Sequence, residues 1–306
     1  MEIQVGVFPP NDLLMGNPEG QREWLAKVSD AGVDHVAVGD HVSFYVGLGF
    51  DGLVMATALS VLHPTLPVHT GVYLLPLRNP VTVARQLSSL SALAPGRLVF
   101  GVGVGGEDRH EVEICGVDPA TRGRRMDECV TILNGLMGGQ PLDFHGEFFD
   151  FERASILPAP AAPIPIVIGG RSDAAVRRAG RLGDGWVAIW KTPDQWSAAM
   201  TLMEKAAAEA GRDEAPSLHA LQIWCGFGDS RDEGRARVAP AMQGFYQLPF
   251  ERFEKYTPYG TPEDVAGFLA PFTELGCRTF NFIAQSQDAD STLAAVAEVK
   301  RLLSHA

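Results

Sequence analysis

Asp40 and His41 stand together where an apolar run ends, in Val36-Ala-Val-Gly-Asp-His41. An imidazole at such a place changes charge near neutral pH and can serve as a general acid or base, or donate to an anionic ring atom. The alternative is that Asp40 caps a turn and His41 packs in the loop that follows. A second group closes the run Leu98–Val102, where Gly101-Val-Gly-Val-Gly-Gly106 leads into Glu107-Asp108-Arg109-His110-Glu111. Bare backbone there lets a flat ring approach main-chain N–H groups. Glu107 and His110 are secondary acid–base candidates. On the plainer reading, the acidic cluster starts and solvates a helix. The glycine string fits G-x-G-x-x-G, but a dinucleotide fold carries that pattern after its first strand, and three strand–helix units precede it here. A third group, Gly169-Gly170-Arg171-Ser172, lies between an apolar run and an amphipathic stretch. Backbone amides at such a helix start cradle an anion, and Arg171 adds charge. The alternative is a tight turn with Ser172 or Asp173 as its cap. Arg177 and Arg178 read as solvated surface.

These groups need a scaffold that brings strand ends together. Short, β-branched apolar runs occur at Ile3–Phe8, His35–Gly39, Val68–Leu75, Leu98–Val102, Pro165–Ile168, Gly185–Ile189, Leu218–Cys225 and Thr279–Ile283. Successive apolar residues suit strands covered on both faces. Helix-period segments separate them: Glu19–Ala31, Leu53–Leu62, Pro80–Leu93, Arg122–Met137, Asp173–Leu182, Asp194–Ala210, Pro262–Leu275 and Leu293–Leu303. Asn79-Pro80 and Thr261-Pro262 are helix starts, and Gly32, Gly183, Gly211 and Gly276 are expected left-handed helix ends. Eight strand–helix units predict a (β/α)8 barrel in one domain, residues 1–306, rather than an open sheet. Insertions follow strands 2, 4 and 7. They are the glycine- and aromatic-rich stretch His41–Gly52, the stretch Pro141–Pro163 with a hairpin at Asp143–Asp150, and the long excursion Ser230–Gly260. Loops after barrel strands build active sites, so the first and third are lid candidates. Gly71, inside its run, marks a bulge or a close ligand.

Composition excludes several classes. Against 25 basic residues stand 37 acidic ones, a net charge of −12, which argues against a nucleic-acid or anionic-membrane partner. An anionic ligand must then be held by local donors. The four cysteines form no CxxC pair and read as reduced thiols of a cytoplasmic protein. No zinc spacing, GxSxG elbow or GxxxxGK[ST] loop is present, so no metal is expected. No secretory leader is expected from the N-terminal residues, and no apolar stretch reaches the ~20 residues of a membrane span.

Taken in order, the segments resemble the bacterial luciferase-like family of flavin- and deazaflavin-dependent oxidoreductases. The likeness runs through Gly39-Asp40-His41, Arg78-Asn79-Pro80, Arg97-Leu-Val-Phe-Gly-Val-Gly103, Glu111…Gly116-Val117-Asp118, Arg124…Gly146-Glu147-Phe148-Phe149, Pro165–Gly170 and Arg181-Leu-Gly-Asp-Gly-Trp186. It implies a (β/α)8 barrel with FMN or coenzyme F420 at the C-terminal mouth. It implies that Asp40 and His41 lie beside the ring and that a non-proline cis peptide at Gly71-Val72 forms a bulge behind it. Val104-Gly105 is then the strand-four backbone at the ring, and Gly169-Gly170-Arg171-Ser172 the phosphate turn. Glu107 stands one step later than the proton-donor glutamate of some members, where this chain has Gly106. A homodimer is also implied. The leading expectation is an F420-dependent oxidoreductase moving a hydride to or from a small organic substrate. An FMN-dependent monooxygenase is the first alternative, a non-catalytic flavin-binding barrel the second, and a barrel lyase or isomerase the third.

Overall fold

The structure is a computed structural model that describes residues 2–45, 47, 49–106 and 108–305. Its strands are β1 (Gln4–Val7), β2 (His35–Val38), β3 (Val68–Thr70), β4 (Leu98–Val102), β5 (Leu142–His145), β6 (Asp150–Ala154), β7 (Ile166–Gly169), β8 (Gly185–Ile189), β9 (Ala220–Phe227), β10 (Tyr259–Gly260) and β11 (Thr279–Gln285). In the order β10-β9-β11-β1-β2-β3-β4-β7-β8, the pairing of β9 with β8 closes the eight parallel strands from β9 to β8 into a (β/α)8 barrel, and the two-residue β10 lies beside β9. β5 and β6 form the expected hairpin apart from it. All four residues of β2 and of β7 are buried, as the unbroken apolar runs require of strands covered on both faces. By contacts the chain divides into one unit of Met1–Ala37, Val187–Leu202 and His219–Ala306, and another of Val38–Trp186 and Met203–Leu218.

Local grammar accounts for the helix ends. Asn79 accepts from the amides of Val81 and Thr82 ahead of Pro80, and Thr261 and Asp264 cap each other reciprocally. Gly32, Gly211 and Gly276 are left-handed, but Gly183 has φ −98°. Gly183 is required by packing instead, since a Cβ there would lie 2.8 Å from Ile168 Cγ1.

Three expectations are corrected. The run Val68–Leu75 is not one strand: β3 stops at Thr70, a bulge follows, and Tyr73 rejoins β4 by a bridge to Val102. Most of Ser230–Gly260 is not an open loop. Ser230 caps a helix, Arg231–Tyr246, masked in the sequence by Gly234, Pro240 and Gly244. Tyr246, Phe250 and Phe253 join a buried cluster in which Trp224 donates to the Tyr246 hydroxyl at 3.0 Å. Arg178 is not solvated surface. It is buried and bonds Asp127 and the Gly123 carbonyl, both on the helix Arg122–Leu136.

Cys129, Cys225 and Cys277 are buried and Cys115 is half-buried, none of them in a disulfide. Among the described residues no helix is long and apolar enough to cross a membrane.

One buried ionisable group gives the fold an acid-sensitive point. His35 Nε2 lies 2.7 Å from Asn281 Oδ1, in space that exists because residue 6 is glycine. Burial pushes this imidazole down to about 4, against the opposing bond to Asn281. The unfolded imidazole binds its proton near 6.5, so between these values the unfolded chain holds more protons and stability falls as pH drops. The loss reaches about 3 kcal/mol once pH passes the folded value. Urea unfolding at pH 7 and pH 4.5 should show a steeper loss for wild type than for His35→Gln; equal losses would exclude His35 as the source.

Candidate active site

Four strand ends, those of β2, β3, β4 and β7, lie in the unit that includes Val38–Trp186. At the end of β2 the Asp40 side chain is buried with both oxygens engaged. Oδ1 accepts from Gly52 N at 2.8 Å and Oδ2 from Leu74 N at 2.8 Å, while the Arg78 guanidinium grips both at 2.6 and 2.8 Å. Burial raises the Asp40 carboxyl above the usual carboxylate range, with Arg78 and the two amides pulling the other way. Arg78 also lies over the Tyr73 ring, 4.4 Å from its centre. Asp40 therefore ties the end of β2 to the chain just past the β3 bulge.

His41 is the next residue, and its ring stacks on Phe44 with centres 4.1 Å apart. Its Nδ1 lies 3.2 and 3.3 Å from the two oxygens of Glu111. Glu111 is buried, and its Oε1 accepts from Val42 N at 2.7 Å and Ser43 N at 3.1 Å. Burial would raise this carboxyl, but His41 and the two amides outweigh it and hold Glu111 below its ordinary value. Asp108 completes the clamp: it accepts from Tyr45 N at 2.7 Å and caps the helix Arg109–Ile114 through His110 N. Two carboxylates of the acidic cluster thus hold the loop after β2. The sequence reading chose His110 and Glu107 from that cluster and missed Asp108 and Glu111. The legible signal was Asp108 as an N-cap residue directly before a short helix. His110 is exposed, and Glu107 lies outside the described residues.

The bulge follows β3. The Gly71-Val72 peptide is cis, at the place the resemblance implied. Val72 sits between two strand ends, its Cγ atoms 2.4 Å from where a Gly103 Cβ would be and 2.6 Å from where a Gly169 Cβ would be. Neither glycine can carry a side chain unless Val72 moves. Val104 and Gly105 are half-buried, and Gly105 has φ +68°. Beside Gly39, at the end of β2, an added Cβ would meet no atom within 4 Å, so that point of the rim is open.

At the end of β7, Gly170 has φ +137°, and its carbonyl accepts from Trp186 Nε1 at 2.8 Å. In a trans peptide this turns the Arg171 N–H away from Trp186. Ser172 caps the helix Asp173–Leu182 through Ala175 N, and the Arg171 and Ser172 side chains are exposed. Arg178 and Arg181 both bond Asp127, so they join helices rather than face this turn. Among the described residues no group of three or more His, Cys, Asp or Glu is placed to hold a metal ion.

Comparison with known proteins identifies the family. The luciferase-like monooxygenase family matches residues 3–279. The chain belongs to this family. An uncharacterised protein of Mycobacterium tuberculosis is 38% identical over 170 residues, and the match spans 56% of this chain and 58% of that protein's length. An F420-dependent glucose-6-phosphate dehydrogenase of Beutenbergia cavernae is 30% identical over 266 residues, covering 81% of this chain and 72% of that one. A solved F420-dependent secondary alcohol dehydrogenase, in complex with an F420-acetone adduct, superposes with a TM-score of 0.85 over 99% of both chains at 21% identity. At that identity the likeness bears on the fold alone.

Proposed function

We propose that this luciferase-like chain is an oxidoreductase that uses coenzyme F420 to exchange a hydride with a small organic substrate bearing a hydroxyl or carbonyl group. The observation that carries the reading is His41 held at Nδ1 by a buried carboxylate, one residue past an aspartate anchored to the bulge. The residues present suit a flat ring with a phosphate-bearing tail. The open point beside Gly39 and the bare backbone flanking Val72 would take the ring against Val72 and Val104-Gly105. The amides and exposed side chains of Gly169-Gly170-Arg171-Ser172 would take the phosphate. When bound, the deazaflavin supplies a two-electron hydride acceptor and donor. His41 would accept the substrate's hydroxyl proton at Nε2 in the oxidative direction and return it in the reductive one. The clamp of Asp108 and Glu111 keeps the imidazole still, and Phe44 covers one of its faces, excluding water there.

The names of several relatives favour F420, and so does a cationic turn in a chain of net charge −12. FMN-dependent monooxygenation is the second reading, favoured by the family's own description. Fluorescence titration of the purified protein with each cofactor decides between them. Micromolar or tighter binding of F420 with weak binding of FMN supports the proposal, and the opposite order replaces it. A second copy of the chain is the proposed partner. The helix Gly52–Leu62 has no ionisable side chain and exposes Val54 and Val61, so a one-chain mass in solution light scattering would remove that partner.

A further inference from the structure

We infer that Glu111 is the positioning residue of His41, fixing its proton on Nδ1 so that Nε2 is the nitrogen offered to a ligand. The inference deepens the function proposed above and rests on it only for what His41 then does. An ionised carboxylate accepts and cannot donate, so the nitrogen facing Glu111 must carry the hydrogen. Both Glu111 oxygens lie within 3.3 Å of Nδ1. The same carboxylate accepts the amides of Val42 and Ser43, so the loop cannot turn the ring without breaking bonds to a buried charge. Stacking on Phe44 removes the remaining freedom of the ring plane. A base oriented by a third group in this way is the arrangement by which side chains distant in sequence act as one unit.

The groups around the imidazole agree with this assignment. From its own loop come Asp40, neutralised by Arg78, and Asp51, which also bonds Arg78. From the helix Arg109–Ile114 and its ends come Glu111, Asp108 with its oxygens on Tyr45 N and His110 N, and the half-buried Cys115. Among these groups, the Glu111 carboxylate bonds the ring at Nδ1.

The test reads the tautomer directly. In protein with 15N-labelled histidine, two-bond proton–nitrogen correlations at pH 8 should show His41 with its hydrogen on Nδ1 in the wild type. Finding it on Nε2 would overturn the inference without any variant. Glu111→Gln keeps an acceptor for the loop amides but loses the charge, and should shift a majority of the imidazole to the Nε2–H form. Glu111→Asp, which retains a carboxylate, should stay on Nδ1 if it folds. An unchanged spectrum in folded Glu111→Gln would leave Glu111 as a loop brace alone and would also overturn it. None of these readings depends on a bound cofactor. A protein that shows the Nδ1 form yet binds neither F420 nor FMN would keep the inference and defeat the function.

Discussion

Arg78→Met is expected to destabilise the protein by about 3–5 kcal/mol at pH 8, the range for removing one partner of a buried ion pair. Asp40 is the reason. Its carboxylate has no exposed side-chain surface, and two of its bonds are to amides that cannot supply charge. Without the guanidinium, burial is opposed only by the Gly52 and Leu74 amides, and the carboxyl rises further above its ordinary value. The folded variant then holds more protons than the unfolded chain over a window above the unfolded carboxylate value, so its stability declines as pH rises through that window. The destabilisation relative to wild type should therefore shrink as pH falls from 8 toward 5. Taking the difference at each pH cancels the separate acid response of His35. Adding Asp40→Asn to Arg78→Met should recover part of the loss, because the uncompensated charge is gone although the Leu74 and Gly52 amides keep one acceptor. Urea unfolding of the two variants measures this. A single variant within about 1 kcal/mol of wild type would show that Arg78 is dispensable to the buried carboxylate.

His41→Ala is the second large effect. It should lower the rate of F420 reduction by an alcohol, or of reduced-F420 oxidation by a carbonyl compound, by about 10²–10⁴-fold, the usual range for a general acid–base. The affinity for the cofactor should change by less than about tenfold, since the backbone at Val104-Gly105 and at Gly169-Gly170 is untouched. Single-turnover absorbance measurements with a panel of alcohols and ketones read the first quantity, and fluorescence titration reads the second. A collapse of cofactor binding with the rate unchanged at saturation would make His41 a ring contact rather than an acid–base group. The Glu111 clamp makes the alanine variant a fair test, because the loop amides of Val42 and Ser43 keep their acceptor.

Much of the fold was readable in one dimension because its causes are local. Fully apolar runs such as Val36–Val38 mark strands covered on both faces, and Asn79-Pro80 and Thr261–Asp264 satisfy helix amides within three residues. Gly71 was singled out in the same way, as a glycine inside a strand-like run, and the family resemblance pointed to the Gly71-Val72 peptide that is cis there. The helix Arg231–Tyr246 was missed because its propensity is poor, with a proline and two glycines inside it. Its stability comes from aromatic packing against Trp224, which no local pattern reports.

Residue type and short-range order thus determined the barrel's alternation of strands and helices, its caps, and which strand ends could hold chemistry. Tertiary structure decided the pairings. Glu111 meets His41 across 70 positions and Arg178 meets Asp127 across 51, while Val72 occupies the space above glycines 103 and 169. A charge is read as solvated until the fold removes its water. It then requires a partner, and that partner's identity depends on which strands close the ring side by side rather than on distance along the chain.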